Sequence, residues 1–97
     1  MYKLVLTKQA EKDTRLLEQA GLKDKTVLLL RIIRRDPFQA PPPLEKLRGC
    51  KDTYSRRINI QHRLVYQVLP NQDGEKDNEG IPYQGVVKLI RAWTHYE

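Results

Sequence analysis

The sequence YSRRINIQHRLVYQVL, residues 54–69, decides the fold because it contains two strand-forming segments separated by a short turn. Residues 54–60 and 63–69 are rich in β-branched and aromatic side chains, which favour strands. Gln61 and His62 form the predicted corner of a hairpin, although they lack the Asn-Gly or Gly-Gly pair that is common in such turns. Because strands joined by a short turn pair in opposite directions, this stretch predicts an antiparallel pair within a sheet.

The residues before the hairpin predict one strand and two helices. Residues 2–6 alternate in the manner of a strand. Thr7 is a suitable N-cap for a helix over residues 8–20, and Gly21 follows at the position where a left-handed residue commonly ends a helix. A second helix is predicted over residues 24–35, which form the most apolar segment of the chain and the expected centre of the core.

Two irregular segments and a final strand complete the pattern. Residues 37–43 contain four prolines, so this segment is expected to be extended and stiff and to set the position of Glu45. Residues 70–85 contain two prolines, three glycines and four acidic residues, which predicts a mobile hairpin loop. A last strand is predicted over residues 86–95.

These elements predict a single α+β domain over residues 1–97, in the order β-α-α-β-β-β. The late strands follow one another closely, so they are expected to form an antiparallel sheet. The two N-terminal helices would cover one face of that sheet in a second layer.

Composition and charge favour a particular class of partner. The chain has 18 Lys and Arg residues against 12 Asp and Glu residues, which gives a formal charge of +6 and a pI near 9.6. A small basic domain favours an acidic partner such as nucleic acid or the ribosome, although solubility alone is an alternative explanation.

Several classes of protein and site are not expected. The single cysteine, Cys50, excludes an internal disulfide and a zinc cluster and fits a reducing cytoplasm. The longest apolar run, residues 27–30, is too short to cross a membrane. No carboxylates or histidines are spaced as metal ligands, so we expect neither a metal site nor another cofactor.

The arginines of the hairpin and the end of the chain suggest chemistry on a phosphodiester. Arg56, Arg57 and Arg63 lie within eight positions, and guanidinium groups bind phosphate in a planar forked geometry. His95 and Tyr96 carry groups that can move protons. Cleavage of RNA needs a base for the ribose 2′-OH, cations for the phosphorane charge and an acid for the leaving oxygen, and it requires no metal when the 2′-OH is the nucleophile.

Five short motifs together resemble the YoeB/Txe toxins of the RelE superfamily. They are residues 36–38 (DPF), 45–47 (EKL), 55–58 (SRRI), 62–66 (HRLVY) and the terminal pair 95–96 (HY). The resemblance covers nearly the whole chain in the same order. It implies a bacterial type II toxin, a small endoribonuclease that cuts mRNA on the ribosome. It also implies a microbial-RNase-like antiparallel sheet with two helices on one side.

The resemblance implies a role for each catalytic candidate. Glu45 would be the general base, whereas the sequence by itself favours a solvated loop glutamate. Arg63 would bind the scissile phosphate. Arg56 and Arg57 are adjacent in a strand and point to opposite faces, so one of them faces the site, and the resemblance assigns that place to Arg57. His95 would be the general acid, and Tyr96 would stack on a base or orient the phosphate.

Further residues are candidates for binding RNA. Lys46, Arg48 and Lys51 form a basic patch next to the predicted base, where phosphate contacts would be sensitive to salt. Tyr54 either packs or shapes the RNA groove. Arg56 either binds a backbone carbonyl or contacts ribosomal RNA.

The same resemblance implies partners and leaves two alternatives. The expected partners are the ribosome with its mRNA and a YefM/Axe-like antitoxin. An acidic, partly disordered segment of the antitoxin would cover the basic groove. The expected assembly is either this heterocomplex or a homodimer. One alternative is a non-catalytic RNA- or ribosome-binding module. The other is a toxin of related fold that acts on a protein such as gyrase, for which an acid–base pair has no use.

Overall fold

The computed structural model describes residues 1–93 and contains two helices and five strands. The elements in chain order are β1 (Lys3–Leu6), α1 (Lys8–Gln19), α2 (Lys23–Arg35), β2 (Glu45–Lys46), β3 (Thr53–Arg57), β4 (Arg63–Leu69) and β5 (Val86–Arg91). The predicted α+β fold, with two helices between the first strand and the later strands, is confirmed. The two-residue strand β2 adds to the predicted order.

The five strands form one mixed sheet in the order β1-β5-β4-β3-β2. β3, β4 and β5 pair antiparallel, as predicted, and the additional strand β2 pairs antiparallel with β3, but β1 pairs parallel to β5. The expectation of a wholly antiparallel sheet was therefore wrong at this edge. The reason is that the two helices form a crossover between β1 and the rest of the sheet, and such a connection permits parallel pairing.

The ends of the helices follow local capping. The Thr7 hydroxyl oxygen accepts a hydrogen bond from the Ala10 amide (3.0 Å), as predicted for an N-cap, and the same hydroxyl donates to the Ile90 carbonyl (2.9 Å). Gly21 has a φ of +77°, which a residue without a side chain adopts at little cost. Thr7 thus both starts α1 and ties it to β5.

The core lies between the helices and one face of the sheet. Each helix contributes a single buried stripe, so Leu29 and Ile33 of α2 are buried while Leu28 is 57% exposed. The buried hydrophobic residues of this core are Ala10, Leu17, Leu29, Ile33, Ile58, Leu64, Tyr66, Val87, Leu89 and Ala92. Both helices therefore pack on the same face of the sheet.

The hairpin between β3 and β4 has a wider corner than predicted. β4 has the predicted bounds, but β3 ends at Arg57 instead of residue 60. The side-chain oxygen of Asn59 accepts hydrogen bonds from the amides of Gln61 (2.9 Å) and His62 (2.8 Å). This side-chain turn replaces regular pairing, and it leaves Ile60 93% exposed.

The acidic loop, residues 70–85, is hydrogen-bonded internally. The side-chain Nδ2 of Asn71 donates to the backbone carbonyls of Glu75 (3.0 Å) and Tyr83 (3.1 Å). Lys3 of β1 forms an ion pair with Glu75 (2.6 Å). The mobility expected of this loop stays a prediction. β5 begins at Val86 as predicted but ends at Arg91, so the predicted strand over residues 86–95 is too long at residues 92 and 93. Residues 94–95 lie outside the described residues.

Candidate active site

The face of the sheet opposite the helices brings four polar side chains together. Glu45 pairs with Ser55 across β2 and β3, and Arg57 pairs with Arg63 across β3 and β4. Because side chains alternate along a strand, all four point away from Leu64 and the helices. With Pro43 and Leu44 they line a cleft of about 120 Å³.

Arg63 is the central residue of this cleft. Its Nη1 lies 3.6 Å from a carboxylate oxygen of Glu45 and donates a hydrogen bond to the Ser55 hydroxyl (3.3 Å). The Arg63 side chain is 19% exposed, whereas that of Glu45 is 63% exposed. A half-buried guanidinium is thus held in place next to a solvent-accessible carboxylate, an arrangement that allows phosphate binding next to proton transfer.

Ser55 is a site residue that the sequence reasoning missed. It is buried, and its hydroxyl orients Arg63. The signal was present in the alternation of the strand, because Ser55 lies two residues before Arg57 and therefore on the same face.

Arg56 and Arg57 point to opposite faces, as predicted. Arg57 is exposed and lines the cleft, while Arg56 is only 1% exposed. The Arg56 guanidinium donates to the carbonyls of residues 37, 39 and 42 and to the Tyr66 hydroxyl. The assignment of Arg56 to RNA binding is therefore wrong, and the alternative, a contact with backbone carbonyls, is confirmed. The physical reason is burial: its polar hydrogens are directed into the protein and away from solvent.

Tyr66 completes the buried group around Arg56. Burial raises the pKa of the Tyr66 phenol, and the hydrogen bond from Arg56 opposes this rise only in part. The phenol therefore stays protonated and donates to the Pro37 carbonyl (2.7 Å).

The predicted basic patch follows Glu45 along the chain, in β2 and the turn after it. Lys46, Arg48 and Lys51 are exposed and line an open hollow of about 580 Å³. Tyr54 is half-buried, and its ring packs edge-on against Phe38, with 5.3 Å between ring centres. The packing alternative for Tyr54 is thus observed.

The end of the described chain is anchored by a buried carboxylate. Asp13 of α1 is fully buried and accepts hydrogen bonds from Arg91 Nε (2.9 Å), the Ala92 amide (3.0 Å) and Gln9 (3.0 Å). Burial raises the pKa of Asp13, but these bonds together outweigh that effect and leave the pKa below its usual value. His95 and Tyr96 follow closely along the chain and lie outside the described residues.

His62 and Trp93 are not among the residues that line the cleft. Their rings stack with 3.8 Å between centres. His62 is buried at the hairpin corner. The place of His62 at this corner agrees with the prediction from the sequence.

Two further classes of feature can be assessed over residues 1–93. No three His, Cys, Asp or Glu side chains in this range come together as a possible metal site. Neither of the two helices in the same range is both long enough and apolar enough to span a bilayer.

Comparison with known protein families gives one match that covers most of the chain. The model of the family described as YoeB-like toxins of bacterial type II toxin–antitoxin systems matches residues 7–96. We found no significant match among curated protein sequences.

Solved structures agree with that family match. A YoeB/ParE toxin from Agrobacterium tumefaciens is 28% identical, with a TM-score of 0.73, over 97% of this chain and 99% of that one. A YoeB-YefM complex from Staphylococcus aureus contains a chain that is 28% identical, with a TM-score of 0.69, over 99% of both chains. The DinJ-YafQ complex from E. coli shares only the fold, with 15% identity, a TM-score of 0.70, and coverage of 98% of this chain and 94% of that one.

Proposed function

Because the chain belongs to the YoeB-like toxins of bacterial type II toxin–antitoxin systems, we propose that it is an endoribonuclease that cuts mRNA on the ribosome and so blocks translation. The observation that carries this proposal is the cleft in which Arg63 lies between Ser55 and Glu45. A carboxylate next to a guanidinium offers a base and a phosphate ligand within one small space.

The proposed reaction uses the ribose 2′-OH as the nucleophile. Glu45 removes the proton of this hydroxyl, and the oxygen attacks the adjacent phosphorus. The bond from phosphorus to the 5′ oxygen breaks, which leaves a 2′,3′-cyclic phosphate on one fragment and a 5′-hydroxyl on the other. We assign to His95 the proton that the 5′ oxygen takes up, and to Tyr96 the orientation of the phosphate or an adjacent base, as the family resemblance implies.

Arg63 and Arg57 stabilise the charge of the transition state in this scheme. Arg63 and Glu45 contact each other across 3.6 Å, so an entering phosphate competes for the same guanidinium. When the phosphate binds Arg63, the Glu45 carboxylate is released from this contact and can accept a hydrogen bond from the ribose 2′-OH. Ser55 keeps Arg63 in position during this exchange.

We also propose a cognate antitoxin as a partner in the cytoplasm. The S. aureus relatives were solved with YefM and as a dimer. For this chain, a YefM/Axe-like antitoxin with an acidic segment would complement the exposed cations Arg57, Lys46, Arg48 and Lys51. Such a segment would exclude mRNA from the cleft by covering it.

The test is cleavage of mRNA in a reconstituted translation system. We compare the wild type with Glu45→Gln and Arg63→Gln, and with two control variants of exposed helical residues, Glu11→Gln and Arg31→Gln. Reactions without ribosomes, and with EDTA-treated free RNA, control for contaminating nucleases. We expect ribosome-dependent cuts that leave 2′,3′-cyclic phosphate ends, and losses of about 100-fold or more in the two site variants.

Other outcomes identify the alternatives. Intact mRNA with wild-type toxin bound to the ribosome would support a non-catalytic binding module. Inhibition of DNA supercoiling without an effect on translation would support a toxin that acts on gyrase.

A further inference from the structure

We propose that Arg56 is a positioning residue, which together with Tyr66 holds the proline-rich segment, residues 37–43, and thereby fixes the place of Glu45. The inference deepens the proposed function and rests on it for the role of Glu45. The contacts themselves are independent of that function.

The Arg56 guanidinium has an unusual environment for a cation. It donates from Nη1 to the Pro42 carbonyl (2.8 Å), from Nη2 to the carbonyls of Gln39 (2.6 Å) and Pro37 (3.2 Å), and from Nε to the Tyr66 hydroxyl (3.0 Å). Within residues 1–93 no carboxylate lies within ion-pair distance of it. The buried charge is thus compensated by the dipoles of one loop.

The chemistry of proline explains why an arginine is suited to this place. Proline has no amide hydrogen, so four of the seven residues of the segment offer only a carbonyl to any partner. Arginine has five N–H donors in a fixed fork and no acceptor. It can therefore bind several carbonyls of such a segment at once, which a lysine cannot do in the same geometry.

The segment leads directly to the proposed base. Pro42 lies three residues before Glu45, and β2, which carries Glu45, is only two residues long. Beyond the pairing of β2 with β3, the Leu47 amide donates to the Thr53 carbonyl (2.9 Å). So short a strand at the edge of a sheet is a weak anchor by itself, and the contacts of Arg56 supply a second one on the other side of Glu45.

One strand therefore serves both faces of the sheet. Arg57 lines the cleft, and its neighbour Arg56 holds the loop that carries Glu45 toward that cleft. The distance between the base and the phosphate ligands is then set by β3 and its buried arginine.

The variants for the test remove the contacts in steps. Tyr66→Phe keeps the ring in the core and removes one acceptor of Arg56 and one donor to Pro37. Arg56→Lys keeps the charge and loses the fork. Arg31→Gln, on the exposed side of α2, is the matched control. Arg56→Lys leaves carbonyls of the segment without a donor and is expected to be less stable. Tyr66→Phe is therefore the decisive variant, and urea unfolding checks that it is folded.

Three measurements distinguish positioning from RNA contact. We expect Tyr66→Phe to slow single-turnover cleavage by about tenfold or more, because small displacements of a catalytic group are costly. Affinity for ribosome-bound mRNA and its dependence on salt should stay at the wild-type level, because no phosphate contact is lost. In the background of Glu45→Gln, Tyr66→Phe should cost nothing further, since it acts through Glu45.

A structural measurement keeps this inference separate from the proposed function. Hydrogen exchange at the Leu47 amide should be faster in Tyr66→Phe and Arg56→Lys than in the wild type and Arg31→Gln. If the wild type does not cut mRNA but exchange is accelerated, the clamp exists and the proposed enzyme fails. If exchange at the Leu47 amide is unchanged, the positioning role of Arg56 is overturned. The same conclusion follows if the losses in cleavage rate caused by Glu45→Gln and Tyr66→Phe are additive in the double variant.

Discussion

Single side chains on β3 and β4 determine what the cleft can do. Arg63 contacts both Ser55 and Glu45, so its position is defined before any ligand arrives. In enzymes, preorganised charge of this kind is the usual basis of transition-state stabilisation, because the charged groups do not need to reorganise during the reaction.

The forked shape of Arg63 can be tested separately from its charge. We expect Arg63→Lys to bind ribosome-bound mRNA nearly as well as the wild type, but to cleave it about 10- to 100-fold more slowly, because lysine provides a point charge without the planar fork. Single-turnover cleavage and a binding titration measure the two effects, with Arg31→Lys as the control. A wild-type rate for Arg63→Lys would show that charge alone is enough.

Asp13 predicts a dependence of stability on pH. Its pKa is lower in the folded protein than in the unfolded chain, so it contributes stability above the unfolded pKa of about 3.9 and loses it as the pH falls through the folded pKa. We expect Asp13→Asn to lower the free energy of unfolding at neutral pH by about 1–3 kcal/mol. Urea unfolding should show that the free energies of unfolding of the wild type and of Asp13→Asn converge as the pH falls. A difference that stays constant with pH would contradict this account.

The sequence predicted single residues well where alternation decides their direction. Opposite faces for Arg56 and Arg57 followed from the two-residue period of a strand. Which face was buried, and that Arg56 would bind three carbonyls of a distant loop, depended on tertiary packing that no local pattern contains. Ser55 was missed because a serine within a strand is not distinctive by itself, and only its position two residues before Arg57 pointed to the site.

At the scale of elements, α1 depends on the residue that begins it. Thr7 accepts from the Ala10 amide and donates to the Ile90 carbonyl, so it links a helix end to the strand before the terminal motif. Such a link stabilises two elements with one side chain.

Removal of this cap has a defined expected cost. Thr7→Ala should lower the free energy of unfolding by about 1–2 kcal/mol, because both hydrogen bonds are lost. Thr7→Ser keeps the hydroxyl and is the matched control, expected to be close to wild type in urea unfolding. If the two variants were equally destabilised, the methyl group and not the hydroxyl would be responsible.

Element boundaries were predicted well where the sequence carries explicit signals. The cap at Thr7 and the glycine at position 21 gave the ends of α1 within one residue. β3 ended earlier than predicted because Asn59 turns the chain through its side chain, and the strand-forming residues Ile58 and Ile60 masked that signal. The parallel pairing of β1 was not predictable from strands considered in isolation.

At the scale of the whole molecule, charge is unevenly distributed. The acidic residues of the 70–85 loop include Glu75, which pairs with Lys3 of the edge strand β1. The exposed cations of the patch, Lys46, Arg48 and Lys51, lie by β2 at the opposite edge of the sheet. A net charge of +6 therefore understates the attraction that the cleft edge can exert on RNA.

The salt dependence of RNA binding tests this distribution. Replacement of Lys46, Arg48 and Lys51 by Gln should reduce the slope of log affinity against log salt by about 0.7 for each lost phosphate contact, or about 2 in all. The same replacement of three exposed cations on α1 (Lys8, Lys12 and Arg15) removes equal charge and should leave the slope unchanged. Titration of a labelled single-stranded RNA over a range of KCl concentrations measures the slope for each variant. Equal slopes for the patch variant and the α1 variant would contradict a role for the patch.

The order of the strands has a consequence for how the protein is made. β5 lies between β1 and β4, although it is the last strand to be synthesised. A growing chain on the ribosome can form its two helices and the β3–β4 hairpin, but β1 has no neighbour in the sheet until β5 emerges. The two halves of the sheet therefore join only late in synthesis, and a chain that terminates before β5 would be left with β1 unpaired and the core open.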